Sequence, residues 1–185
     1  MARKISITQD VIKNAAFELA REEGLEAVTA RKLATKAGCS TQPIFRVYSK
    51  MEQLHEEIFE MTIHYFSDFY ESGKSGEKLS DKAFVQFGLL YIAFAEKEPK
   101  LFSMLFLSGN RYGRSLYELL NGSTGAFSLE MTRAKNAGVK DPGALFMKMW
   151  IFIHGAACMS LTGDYDLPKE ETLRLLIDTY DKNAN

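Results

Sequence analysis

At 185 residues the chain is one ordinary domain or two small ones that share a core. With 46% hydrophobic and 12% aromatic residues it has the means to build that core, which argues against disorder. A formal charge of −1 excludes a polyanion binder by bulk charge.

The charge is distributed unevenly. Up to His55 there are nine Lys/Arg against six Asp/Glu, and beyond it 14 against 18. The N-terminal third alone is therefore suited to phosphates. Cys39 and Cys158 lie far apart without CxxC spacing, which argues against a disulfide framework or a zinc site. Each reads as a small buried apolar residue. Arg3 and Lys4 are followed by no long apolar run, and no segment is read as reaching the roughly 20 apolar residues of a membrane span. The chain reads as soluble and cytoplasmic.

In chain order, nearly every segment has helical period. Val11, Ile12, Ala15, Ala16, Leu19 and Ala20 make one apolar stripe, opened by Ser6 or Thr8 and closed by Gly24. A short helix follows over Val28–Lys36, with Thr29 as its N-cap, Gly38 as its stop, and Leu33 and Ala34 inward. The third piece is Thr41–Val47. Ser49-x-x-Glu52 forms a capping-box pattern before a long helix, Lys50 to about Ser72, which ends in the linker-like SGKSGE. A helix is predicted from about Leu79 to Lys97, and Pro99 suits the first turn of the next. After GNRYGRS comes a helix from about Leu116 to Asn136, loosened near NGSTG. Asp141-Pro142 opens one that reaches Leu161, and Pro168, Glu170 and Glu171 open the last. No strand is apparent. The fold class is all-α, with a three-helix head over residues 1–50 and a bundle of five or six helices over 51–185.

Two short helices joined by a tight glycine turn fit the helix-turn-helix pattern. Ala37 and Gly38 allow the turn, and Leu33, Ala34, Ile44 and Val47 or Tyr48 pack inward. Ser40 is placed to cap the second helix, leaving Thr41, Gln42, Phe45 and Arg46 on its outer face. Pro43 falls at about the third helical position, where its missing N–H costs little. It also pushes Gln42 toward extended geometry.

These residues resemble the TetR family of one-component bacterial repressors. The pattern I-x-x-A-A, E-x-G, V-T-x-R-x-L-A-x-x-A-G-x-S is met by Ile12–Ala16, Glu22–Gly24 and Val28–Ser40. Ile44-Phe45, Tyr48 and Leu54 continue it. The resemblance covers about the first 55 residues. It implies a homodimer whose recognition helices enter successive major grooves of double-stranded DNA, an effector pocket in the body, and dimerisation through the last two long helices. Carried over by position, Thr29 and Arg31 contact phosphate, Thr41 and Gln42 read bases, and Arg46 reads guanine or holds a phosphate. Ser40 belongs to the same set. Phe45 stands where the family often has Tyr, so a hydroxyl contact to phosphate is lost. Met51 stands where the family favours Lys, and Lys50 is the substitute.

In the body, Pro99–Phe106 and Trp150–Gly155 resemble a TetR subfamily with a proline-led P-x-L-[FY]-x-x-[ML]-F helix and a Trp-x-x-x-His-Gly element. Phe87, Tyr91, Phe94, Met104, Phe127, Met131 and Trp150 are candidates to line an apolar cavity, with His154 to orient a polar group. Ordinary core is the competing reading for each. No acid–base pair, nucleophile set, phosphate loop or metal spacing stands out, so neither catalysis nor a cofactor is proposed. The functional expectation is a DNA-binding regulator released from its operator by an unknown small molecule. A helical carrier or enzyme with an inert helix-turn-helix is the alternative. A regulator answering to a partner protein or to oxidation of Cys39 is a third reading.

Overall fold

The computed structural model describes residues 7–76 and 79–184. Among these, ten α-helices and no strand are present. The helices are α1 (Gln9–Glu23), α2 (Ala30–Lys36), α3 (Thr41–Val47), α4 (Met51–Lys74), α5 (Val85–Lys97), α6 (Pro99–Phe102), α7 (Leu116–Asn121), α8 (Ala126–Asn136), α9 (Pro142–Thr162) and α10 (Lys169–Asn183). A five-residue π-turn over Ser103–Leu107 continues α6. The chain divides into two compact units, Met1–Ile63 with Lys100–Gly113, and His64–Pro99 with Arg114–Asn185. The boundary falls inside α4, so that helix runs unbroken from one unit into the other.

In the first unit Thr8 accepts the Val11 N–H and caps α1; Ser6 lies outside the described residues. Ile12, Ala16, Leu19 and Ala20 from α1 are buried with Leu33 and Ala34 from α2, Ile44 from α3, and Leu54 and Ile58 from α4. Tyr48 is buried and Val47 exposed, so the tyrosine takes the inward place. α4 begins without the expected capping box. Ser49 Oγ donates instead to the Gln53 carboxamide oxygen at 3.0 Å. A complete capping box occurs elsewhere, between Ser115 and Glu118 at the start of α7.

In the second unit α5 packs against α9 and α10. α4 reaches Lys74, three residues into the stretch read as a linker. α5 starts at Val85 rather than near Leu79, because Phe84 has φ +64° and breaks the helical path. The predicted Leu116–Asn136 helix is two helices, α7 and α8. At the break Gly122 has φ +56°, and a Cβ there would fall 2.2 Å from Ser67 Oγ. That serine accepts the Ser123 N–H at 2.9 Å, which holds the break against α4. With this split, seven α-helices run from α4 onward among the described residues, after the three of the head.

Asp141 caps α9 through the Ala144 N–H, with Pro142 in its first turn. α9 has 21 residues and a mean hydropathy of 1.5 over its most apolar window, so one segment is, after all, long and apolar enough for a membrane span. Leu145, Phe146, Met149, Trp150, Ile153, Ala156 and Ala157 bury one face of it against its own unit, as in a core helix.

Candidate nucleic-acid interface

The site is built on α2, the short turn after it, and α3. The Thr29 hydroxyl accepts the Lys32 N–H at 3.3 Å and starts α2. At the other end Gly38 N–H donates to the Thr35 carbonyl at 3.2 Å and Cys39 N–H to the Ala34 carbonyl at 2.9 Å. These two bonds form a Schellman motif, and Gly38 supplies the left-handed residue it needs at φ +66°. The chain turns there and enters α3.

Ser40 occupies the N-cap position of α3, yet its side chain accepts no capping bond. Counting from Ser40, Thr41, Gln42 and Pro43 are the first three helical residues. An N-cap hydroxyl usually accepts from the third, and here that residue has no N–H. The Ser40 hydroxyl is left facing solvent. Gln42, although it precedes a proline, lies within the helix.

The orientation of α3 is set from its C-terminal end. The buried Tyr48 donates its hydroxyl to Glu57 at 2.8 Å and accepts from the Gln9 amide at 3.4 Å. Burial, followed by the bond and charge of Glu57, pushes the Tyr48 hydroxyl up to about 12, against a lowering by Gln9. Lys13 pairs with the same Glu57 carboxylate at 3.4 Å. His55 Nε2–H donates to the Val28 carbonyl at 2.8 Å and ties α4 to the residue before Thr29. Sequence reasoning missed Gln9, Lys13, His55 and Glu57 as positioning residues. Their only sequence signal was a polar residue beside an apolar stripe, which is common on any helix.

All eight residues expected at the interface are exposed: Thr29, Arg31, Ser40, Thr41, Gln42, Phe45, Arg46 and Lys50. At about 100° per residue, Thr41, Gln42, Phe45 and Arg46 lie within an arc of roughly 140° on α3, opposite Ile44. Phe45 is 52% exposed, so it does not serve the core. Thr29 and Arg31 share a shallow depression with Lys32, Thr35 and Lys36.

The cations of the first unit fall into two groups. Lys32 pairs with Glu23, Lys36 with Glu22, and Lys13 with Glu57. Arg31, Arg46 and Lys50 form no ion pair among the described residues. An unpaired cation beside exposed hydroxyls and an amide is open to a phosphate, whereas a paired one must first give up its carboxylate.

Residues 12–58 match the family model of the bacterial regulatory proteins of the tetR family. The TetR match spans α1 to the first two turns of α4 and contains all eight residues. Across the whole chain the fold is similar to that of a protein of unknown function from Rhodococcus sp. RHA1, at 18% identity and TM-score 0.73, covering 100% of both chains. It is also similar to a protein described as a TetR-family transcriptional regulator from Vibrio parahaemolyticus, at 19% identity and TM-score 0.65, over 94% of this chain and 96% of that one. A third similar structure, a TetR-family regulator from Rhodococcus sp., has 18% identity and TM-score 0.63, over 95% and 98%. At such identities the likeness is one of fold. No curated protein matches the sequence. The family match thus covers the helix-turn-helix head, and the solved structures share the fold of the chain as a whole.

The residues expected around an effector are placed as follows. Phe87, Tyr91, Phe94, Phe127 and Trp150 are buried in the second unit, and Met131 and His154 are half-buried there. Met104 is buried in the first unit. Tyr91 connects most of the rings. It stands edge-on to Trp150 at 4.9 Å and to Phe66 at 6.2 Å, stacks on Phe87 at 6.4 Å, and its hydroxyl meets His154 Nδ1 at 3.0 Å. His154 Nε2 lies 3.6 Å from Cys158 Sγ, whose thiol is raised by burial. The second unit also holds a cleft of about 570 Å³ between α4, α5 and the start of α10. None of those eight residues lines it.

Proposed function

We propose that the protein is a dimeric, ligand-responsive transcriptional repressor that binds a palindromic operator through α3 in the major groove. The observation that carries this reading is the set of unneutralised cations, Arg31, Arg46 and Lys50, around an exposed arc of hydroxyl, amide and phenyl groups. In this reading Thr29, Arg31 and Lys50 hold phosphates and set register. Thr41, Gln42 and Arg46 read base edges, and Phe45 meets thymine methyls. Ser40, released from capping by Pro43, is a further phosphate contact.

The homodimer reading rests on α9. Met147, Ile151 and Met159 are 47%, 70% and 45% exposed on its outward side, an apolar strip suited to a second copy through the last two long helices. The resemblance of Pro99–Phe106 and Trp150–Gly155 to one TetR subfamily belongs to the same reading. Ligand response requires two packings of the body and an effector that prefers the one with lower DNA affinity. The continuity of α4 through both compact units supports it as the coupling element.

The test is selection of bound DNA from a random-site pool at about 0.15 M salt. A palindrome with half-sites about 34–36 Å apart is expected. Recovery of no common sequence would leave the carrier reading in possession, for which the cleft of about 570 Å³ is the supporting feature.

A further inference from the structure

The cleft in the second unit has an apolar floor and a rim of hydrogen-bond donors. Phe69, Leu89, Leu90, Ile92 and Ala93 supply the floor, and its volume of about 570 Å³ falls in the range of small-molecule sites.

Gln86 lines the same cleft and is 8% exposed. Its carboxamide oxygen accepts the Leu79 N–H at 3.4 Å, and its amide nitrogen has no partner among the described residues. A side-chain amide nitrogen without a protein acceptor is open to an acceptor on a ligand. That nitrogen is not among the sealed polar atoms of the fold, so an acceptor can reach it from the cleft.

The start of α10 forms another side. Pro168 stands at its N-cap position and provides no side-chain cap. The backbone N–H of Lys169 has no acceptor among the described residues. α10 has 15 residues, so its partial positive end is developed. The Lys169 side chain lines the cleft and is in no ion pair. Lys97 lies across the opening with its ammonium 5.6 Å from the Phe69 ring centre. Glu96 is the one carboxylate among the lining residues, against two ammonium groups; the first turn of α10 also carries Glu170 and Glu171, outside the lining, and Glu171 pairs with Arg174.

We infer that this cleft binds an amphipathic organic carboxylate, with its apolar body on the α5 floor and its carboxylate at Lys169, Gln86 and the first turn of α10. The unpartnered Lys169 ammonium, Lys169 N–H and Gln86 amide nitrogen are donors, so a cationic head would leave them unsatisfied and an uncharged one would leave the ammonium without a counter-charge. The inference deepens the ligand-responsive reading. It rests on that reading for the consequence of binding, not for the binding.

The test is calorimetric titration of the full-length protein with decanoate, 2-naphthoate, decanol and decylammonium, each below its aggregation limit. At least one of the two carboxylates should bind, and which one tells whether the body is an acyl chain or an aromatic ring. It should bind at least tenfold more tightly than decanol and more tightly still than decylammonium. Lys169→Gln should bring the carboxylate's affinity down to about that of decanol. Ala93→Phe, which fills the floor, should abolish binding while leaving the melting temperature unchanged. No heat from either carboxylate, equal affinity for acid and alcohol, or insensitivity to Lys169→Gln would overturn the inference. DNA binding is scored on the same preparation. A protein that takes the carboxylate but no DNA keeps the site and loses the regulator reading. One that takes DNA but no carboxylate does the reverse.

Discussion

The carboxylate of Glu130, on α8, accepts the backbone N–H of Phe84 at 2.6 Å, across 46 residues of chain. Glu130 is 1% exposed, and its second oxygen pairs with Arg133 at 2.7 Å. Arg133 in turn donates to the Asp81 carbonyl at 3.1 Å. This group fixes the left-handed residue at which α5 begins. Glu130→Ala should leave a buried N–H unsatisfied and lower the unfolding free energy by about 1–3 kcal/mol. Glu130→Gln, which keeps an acceptor, should cost less. Urea unfolding of both variants checks the order, and equal losses would show that charge, not acceptance, matters.

Ser40 and Pro43 should be energetically coupled through a bond that is missing. With Pro43 present, Ser40→Ala should change stability by under about 0.5 kcal/mol, because there is no capping bond to lose. In a Pro43→Ala background the third N–H is restored, and Ser40→Ala should then cost about 1 kcal/mol. Thr29→Ala, which removes an existing cap, should cost about 1 kcal/mol in either background. A Ser40 effect independent of residue 43 would refute the account.

The head should weaken in alkali because of Tyr48. Its hydroxyl ionises near 10 in an unfolded chain and at about 12 in the fold, so the fold favours the protonated form. The stability this contributes is therefore complete below pH 10 and lost as pH rises from 10 to 12. The loss amounts to roughly 2–3 kcal/mol. Tyr48→Phe should flatten this limb of the stability–pH curve in that window. A curve that keeps its slope in the variant would assign the loss to other groups.

Within the proposed interface, the roles differ in what they do to specificity. Gln42→Ala should relax one or two base positions, while Arg31→Ala should weaken all sites alike and reduce the salt slope by about 1. Binding curves on selected and scrambled sites at several salt concentrations separate the two. Uniform loss for both substitutions would contradict the division between reading and holding.

Much of this was legible before any coordinates. The apolar stripe of α1, the Thr29 cap, the Gly38 stop and the Asp141-Pro142 start are local signals, and each element sits where its own residues put it. The start of α5 was not legible, because it depends on Glu130, whose partner is chosen by tertiary folding rather than by neighbours in sequence. The break between α7 and α8 was read as loosening, since nothing local reveals that Ser67 fills the space beside Gly122. The failed cap at Ser40 is readable in principle, because the N–H that Pro43 lacks is the one an N-cap hydroxyl at Ser40 would accept. The cleft was invisible for a different reason. In a chain this rich in aromatic and methionine side chains, packed and cavity-lining residues look alike, and the donors that mark the cleft come from two helices far apart in sequence.

α3 contains seven residues, about two turns, and helices of that length do not persist alone in water. Its order comes from Ile44 and Tyr48, the two side chains it sinks into the unit. The surface offered to a partner is thus held up from behind, and its amides should be among the first in the unit to exchange with deuterated solvent. Loosening the Tyr48–Glu57 bond would then cost affinity through the order of α3, in a variant whose outward-facing residues are all intact.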